Sequence, residues 1–552
     1  MIKPRRKAIV LGMDGATLDV LLPRSGEQGG GMPNVAALLA QGSWGALQST
    51  TPPFSAQAWV SMVTGKNPAR HGVVDFWERL PGQRPGERRG FVTARQIHGE
   101  TLWQIAGRHG LQVGIVNVPV TYPPTPLLGY LVSGFLTPQG KEDFVYPTAL
   151  RNEILALVPG YNPDPFDPLG ATKGQLLEID AWMGKHEKVA RHLAAKYPVD
   201  LYFSVAQALD HLQHLFWNEA AGGPEAERGE IAALVDRCYA RADEMVGHRL
   251  SMLDDKTNLF LVSDHGFGPA RKWLHLNRFL QEQGLLVLGQ PGDGGAGGLL
   301  ARLGLTPQGL RDVMRRLDVL GLRRRVGRLA RVTIGRRLDE SLAPPVDWAR
   351  TRAVAGSPAT EGVFVNRDVV EGDSAYEALR DEIMAALLEL RDPDTDQAVV
   401  HAVHRREELY EGPFLDMLPD VVLDMGDNPY LISDSLTAEQ VLAPLPPEQL
   451  QGRHRPLGVF AAAGPDIRPL GRFEGARIVD VAPTVLYALG LPIPDDMDGR
   501  PLVEIFSDEY RAAHPVQHVP PGGQPPPPPE SAYDDEDQEE MERRLKGLGY
   551  VS

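Results

Sequence analysis

A chain of 552 residues with 72 acidic and 56 basic side chains, net charge −16, is poorly suited to general nucleic-acid binding, which favours basic surfaces. Its 42% hydrophobic and 23% charged content is that of a soluble globular protein able to bury a sizeable core. The single cysteine, Cys238, excludes an internal disulfide framework and suits a reducing compartment. No apolar run approaches the ~20 residues that span a bilayer.

At the amino end, "MIKPRRKAIVLGMDG" sets basic residues before an apolar stretch. That stretch is short, ends in Asp14 and lacks a cleavage site, so it reads as a buried strand rather than a signal peptide, and a cytoplasmic protein is expected. Similar apolar runs follow at 112–119, 200–207, 258–266 and 458–465, the first lying at 7–14. Their apolarity is continuous rather than alternating, which predicts strands covered on both faces, as in a parallel sheet between helices. Helical patterns at 229–250 and 375–392 complete a strand-helix alternation. The expected fold is therefore an α/β three-layer sandwich with a mostly parallel central sheet.

Four segments are expected. Residues 1–288 form the first part of the catalytic core. Residues 289–343 hold a Gly-rich break and an Arg-rich helical insertion or cap, residues 344–510 the second part of the core, and residues 511–552 a Pro-rich and acidic tail with a short terminal helix. The Arg-rich stretch 302–337 suits contact with a membrane surface or an anionic substrate; a solvated amphipathic helix packed on an acidic body is the plainer reading.

Chemistry concentrates at the strand ends. In parallel α/β sheets ligands gather beyond the carboxyl edge. Asp14 ends the first strand, Asp210 follows the third, and Asp264 with His265 ends the fourth. Carboxylates delivered to one edge repel one another unless protonated or neutralised by cations. His214 stands four residues after Asp210, a spacing that lets both face one point on a helix, whereas His211 is offset. His454 sits in "GRHRPLGVF", read as a glycine-flanked loop before a strand. Ser55, after two prolines and before "AQAWVSMVTG", marks a helix start, where N–H groups favour an anion and a metal can activate a hydroxyl. Each has a bland counterpart: turn residues, an amphipathic face, a surface histidine, an N-cap.

Taken in order, "LGMDGAT" (11–17), "FSAQAWVSMVTGKNPARHGV" (54–73), "DHLQH" (210–214), "SDHGFG" (263–268) and "GRHRPLGVF" (452–460) resemble the alkaline phosphatase superfamily, particularly its type I phosphodiesterase and nucleotide pyrophosphatase branch. The likeness extends through "VDVAPTVLYALGLPIPDDMDGRPL" (479–502). The resemblance implies an alkaline-phosphatase-like fold and two divalent metals, zinc by preference with manganese or iron compatible. Asp210, His214 and His454 would bind one; Asp14, Asp264 and His265 would bind the other, beside a nucleophilic Ser55. The reaction implied is cleavage of a phosphodiester or phosphoanhydride, in a small-molecule phosphate ester, through a phosphoserine.

The chain departs from that pattern in two places. Threonine is frequent at the nucleophile position, here Ser55, and nucleotide-hydrolysing members place an asparagine where this chain has Ala58, which argues against a nucleotide. Gln57, Asn117 and Tyr122 are candidate substrate-binding residues. Alternatives are a phosphomonoesterase or phosphomutase of the same superfamily, and a catalytically idle relative serving as a binding or membrane-surface protein.

Overall fold

Lys7–Met13 forms strand β1, whose side chains alternate between two apolar layers. Ile9, Leu11 and Met13 enter one core, and Ala8 and Val10 enter the other. The computed structural model describes residues 6–26, 31–80, 82–84, 90–165, 170–222, 229–289, 345–446, 449–523 and 533–550. The same division repeats in β6 (Leu201–Ala206) and β7 (Thr257–Val262), which flank β1 in parallel. Both faces of these strands are therefore covered, the physical reason for their unbroken apolar sequence.

One layer consists of helices Pro33–Gln41, Lys173–Lys196, Ala208–Ala221 and Glu230–Leu250, which supply Leu38, Ile179, Leu212 and Val246. The opposite layer is built from Ser55–Thr64, Leu102–Arg108 and Val481–Ala488, with Trp59, Ile105 and Val485 inward. Between them lies a ten-stranded sheet. It adds β2 (Ser43–Gln48), β3 (Val113–Val118), β4 (Gly129–Ser133), β5 (Val145–Tyr146), β17 (Leu457–Ala463), β18 (Gly471–Arg472) and β19 (Ala476–Arg477). The order is β18-β2-β17-β7-β1-β6-β3-β4-β5, with β19 also on β2. The stretch from β7 to β4 is wholly parallel, so this is a three-layer α/β sandwich with a mostly parallel sheet.

One strand runs against expectation. The run read at 458–465 as another parallel strand is β17, antiparallel to both β2 and β7. After β7 the chain forms β8 (Gly266–Pro269), and β16 (Gly452–Arg455) pairs antiparallel with it. Only Pro456 separates β16 from β17, so β17 starts at the carboxyl end of β7 and runs back along it.

The stretch 344–510 also divides. Strands β10 (Ala353–Ala355), β11 (Gly362–Val365), β12 (Ala402–Arg405) and β13 (Val421–Asp424) form their own sheet. A second small sheet joins β9 (Lys272–His275) to β14 (Tyr430–Ser433) and β15 (Leu442–Pro444). A separate apolar core that includes Phe279, Val363, Ile383 and Leu423 unites them, and the main sheet resumes only at β17. The Arg-rich stretch 302–337 lies outside the described residues. The acidic run at 534–542 is not free tail: it opens helix Asp535–Gly547, whose Met541 and Leu545 are buried against Phe76 and Phe135. Among the described residues no helix is long and apolar enough to cross a membrane.

Candidate active site

Three strands deliver their acidic residues to one edge. Asp14 follows β1 directly, and its backbone N–H donates to the Ala206 carbonyl at the end of β6 (3.2 Å). Asp264 and His265 lie in the three-residue connection Ser263–His265 between β7 and β8, where the Asp264 carboxylate accepts from the Gly15 N–H (3.2 Å). The indole N–H of Trp59 donates to Asp14 Oδ2 (3.0 Å). Asp210 and His214 stand one turn apart on helix Ala208–Ala221, with Oδ1 and Nε2 3.5 Å apart. His454 lies within β16 rather than in a loop. The glycines flanking it serve close packing: a Cβ on Gly452 would lie 2.3 Å from the Gln213 carbonyl oxygen, and one on Gly458 2.8 Å from that of Ser263.

Two clusters result. His454 Nε2 is 3.1 Å from Asp210 Oδ1 and 3.1 Å from His214 Nε2. His265 Nε2 is 3.1 Å from Asp264 Oδ2 and 3.6 Å from Asp14 Oδ1. The rings of His265 and His454 stack with centroids 3.6 Å apart, so the clusters adjoin. Ligand atoms of Asp14, Asp264 and His265 all lie within 4.8 Å of one another, as do those of Asp210, His265 and His454.

The imidazoles are oriented by backbone. Nδ1 of His214 faces the Gly452 carbonyl (3.2 Å), that of His454 the Pro53 carbonyl (2.9 Å), and that of His265 the Gly266 carbonyl (3.1 Å). A carbonyl only accepts, so each Nδ1 carries a hydrogen; the rings of His214 and His454, favoured in the neutral form, turn a bare Nε2 inward, the arrangement common in metal-ligating histidines. Burial, with help from neighbouring histidines, pushes His214 down to about 3 and holds His454 well below the usual range. Burial and then the Asp264 and Asp210 carboxylates push Asp14 well above the usual carboxylate range. For His265 burial acts downward, but Asp264 beside it outweighs that and raises the ring. Asp14 Oδ1 and Asp264 Oδ2 are buried with no hydrogen-bond partner among the described residues. Stranded acceptors of this kind, beside inward lone pairs, are what a bound cation satisfies. The residues fit a divalent metal.

Ser55 is the first residue of helix Ser55–Thr64, not its cap, a place taken by Phe54. Its hydroxyl faces His265 Nε2 at 3.1 Å and is buried. Gln57 is turned toward the Pro52 carbonyl through its amide nitrogen, leaving a buried Oε1 with no hydrogen-bond partner among the described residues. Asn117, left-handed at φ 63°, donates to the Val205 carbonyl (3.3 Å), and Tyr122 donates to Asp143 (2.9 Å). The cations nearest in sequence are engaged elsewhere: Lys66 with Asp496, Arg70 with Asp498 and Lys272 with Asp392. His211 Nδ1 lies 3.9 Å from Asp210 Oδ2, whereas His214 and His454 face Oδ1, and burial pushes His211 down to about 4.

The residue that sequence reasoning missed is Tyr550. Its hydroxyl lies 2.9 Å from His214 Nε2, 3.0 Å from His454 Nε2 and 2.9 Å from Asp210 Oδ2. The only signal was a Gly-Tyr pair closing a helical pattern, which points to a C-cap and not to a site.

Buried carboxylates and inward imidazoles beyond a parallel sheet edge define the class, a metal-dependent hydrolase. The profile of the family "Type I phosphodiesterase / nucleotide pyrophosphatase" matches residues 8–454. The chain belongs to that family. Among solved structures, murine ectonucleotide pyrophosphatase/phosphodiesterase 5 is similar at 14% identity with TM-score 0.46, covering 91% of this chain and all of that one. The human protein gives 13% and 0.46 over the same shares, and an inactive murine variant in complex with AMP gives 14% and 0.47. A 2,3-bisphosphoglycerate-independent phosphoglycerate mutase from Laribacter hongkongensis (strain HLHK9) is 53% identical over 38 residues. That match spans 7% of this chain and 8% of the mutase.

Proposed function

We propose that the protein cleaves a phosphodiester or phosphoanhydride in a small phosphate-containing substrate, with Ser55 as nucleophile. The observation that carries this reading is the Ser55 hydroxyl 3.1 Å from His265, at a helix start and against a double cluster of metal-type donors. Asp210, His214 and His454 would hold one divalent ion, and Asp14, Asp264 and His265 a second. Mixed imidazole and carboxylate donors suit zinc, with manganese or iron compatible. Two bound cations would supply charge stabilisation for the entering and leaving oxygens of an in-line displacement.

The chain's own contribution is positioning. The amino end of helix Ser55–Thr64 turns backbone N–H groups toward an anion. Ser55 Oγ forms a bond to phosphorus as the phosphorus–oxygen bond to the leaving group breaks; the leaving oxygen keeps the electron pair and ends with the proton that the Ser55 hydroxyl gives up. Water then displaces Oγ and releases the phosphoryl group. Trp59 holds Asp14, and the Gly452, Pro53 and Gly266 carbonyls hold the three imidazoles, so the donors need not reorganise as charge develops.

The short match to a phosphoglycerate mutase supports a second reading, transfer to or from a monoester. Metal-reconstituted protein assayed on bis-p-nitrophenyl phosphate and p-nitrophenyl phosphate separates the two. Faster diester cleavage is expected; preference for the monoester would favour the second reading, and turnover of neither by metal-loaded protein would count against both.

A further inference from the structure

Helix Asp535–Gly547 closes in a Schellman turn. Gly549 is left-handed at φ 80°, its N–H donates to the Lys546 carbonyl (3.0 Å), and the Tyr550 N–H donates to the Leu545 carbonyl (2.9 Å). The turn sends Tyr550 back into the protein, where its ring stacks on Phe76 with centroids 5.0 Å apart. The helix beneath is firmly held. Buried Arg544 pairs with buried Asp164, Lys141 bridges to Asp537 (2.6 Å), and Tyr533 donates to the Leu136 carbonyl (2.8 Å).

At the end of this anchor the phenol oxygen meets three acceptors. Asp210 is a carboxylate, and His214 and His454 present bare Nε2 atoms because their Nδ1 hydrogens face carbonyls. One O–H can serve one of them. Hydrogen bonding alone therefore leaves two acceptors close to the oxygen with no hydrogen between.

A cation at the centre accounts for all of it. The three edges among Asp210 Oδ1, His214 Nε2 and His454 Nε2 are 3.5, 3.1 and 3.1 Å. Tyr550 caps that triangle at 2.9 and 3.0 Å from the two nitrogens and 2.9 Å from the other Asp210 oxygen. Four donors at ~2.0–2.1 Å from one zinc in tetrahedral array stand ~3.3 Å apart. We propose that the Tyr550 oxygen is the fourth donor of the Asp210–His214–His454 centre, so that the chain's own carboxyl-terminal segment fills the position a phosphate oxygen must take. This rests on the metal reading above and adds to it an internal competitor for the substrate.

The test compares full-length wild type with Tyr550→Phe, which keeps the ring on Phe76 and removes only the oxygen. Metal affinity is measured by chelator competition, coordination by the visible spectrum of the cobalt-substituted protein, and anion binding by calorimetry with inorganic phosphate on metal-loaded samples. Tyr550→Phe should weaken one of two metals by ~10-fold or more, alter the cobalt spectrum and bind phosphate more tightly. A damaged fold would weaken metal and phosphate together; opposite shifts mark a displaced ligand. Two metals bound with the same affinity, spectrum and phosphate affinity in both proteins would overturn the proposal and leave the metal pair standing. A wild type that binds no metal would overturn both.

Discussion

The hydroxyl of Ser55 and Nε2 of His265 lie 3.1 Å apart although 210 residues separate them in the chain. The contact joins the start of a helix on one face of the sheet to the end of the strand beside β1. Because Ser55 sits at the first helical position, with Phe54 as the cap, removing its oxygen should leave the helix intact. Ser55→Ala should therefore lower turnover by roughly 1,000-fold or more while metal content, measured by atomic absorption, stays at the wild-type level. Activity equal to wild type would contradict its role as nucleophile.

The metal donors should behave in the opposite way. His454 touches Asp210 and His214 at 3.1 Å, and Asp264 contributes a buried Oδ2 that lies 3.1 Å from His265 Nε2. Asp264→Asn and His454→Ala should each lower metal affinity by at least ~10-fold and reduce turnover in proportion to occupancy. Chelation of the wild type should lower Tm, since a ligand bound only to the folded state stabilises it. Unchanged Tm on complete metal removal would argue that the clusters are structural ion pairs.

Legibility followed physical cause. The runs 7–14, 112–119, 200–207 and 258–266 fall on β1, β3, β6 and β7 because strands covered on both faces leave unbroken apolar sequence. Asp210 and His214 could be paired in advance because one helical turn brings them to one face. The direction of β17 could not, since it depends on the pairing of β16 with β8 across a long sequence gap. His454 looked like a loop residue for a related reason: Gly452 and Gly458 mark close backbone packing, and that signal is shared with turns. Tyr550 lies 340 residues from Asp210, and nothing local distinguishes it from any aromatic after a helix. The Trp59 bond to Asp14 was equally hidden, because an apolar-looking helix face gives no sign of where an indole N–H points.

Gly12 tests how tightly the sheet supports the site. A Cβ there would stand 2.5 Å from the Trp59 ring and 2.9 Å from Val205. Both neighbours are fully buried, so neither can yield freely. Gly12→Ala should cost about 1–3 kcal/mol of stability, read from urea unfolding. It should also disturb the Trp59–Asp14 bond, weakening metal binding, although residue 12 holds no donor. Full stability with wild-type metal affinity would show that the ring has room to move.

The last prediction concerns acid. His186 is buried, its ring stacks on Trp182 at 5.0 Å, and the Tyr161 hydroxyl meets its Nδ1 at 3.3 Å. Burial, opposed by Glu187 and reinforced by Arg249, pushes it from the ordinary 6.5 down to about 4. Between those values the unfolded chain binds a proton that the folded protein does not, so stability rises with pH there. The contribution is complete above 6.5 and is lost as pH falls from 6.5 through about 4, amounting to about 3 kcal/mol across that window. His186→Phe keeps a ring against Trp182 and removes the titrating group. Urea unfolding of metal-saturated protein should give a lower stability for the variant at pH 7.5, since Tyr161 loses a partner. Its stability should nevertheless fall less steeply from pH 6.5 to 4.5 than that of the wild type. Parallel slopes would assign the acid sensitivity to other groups.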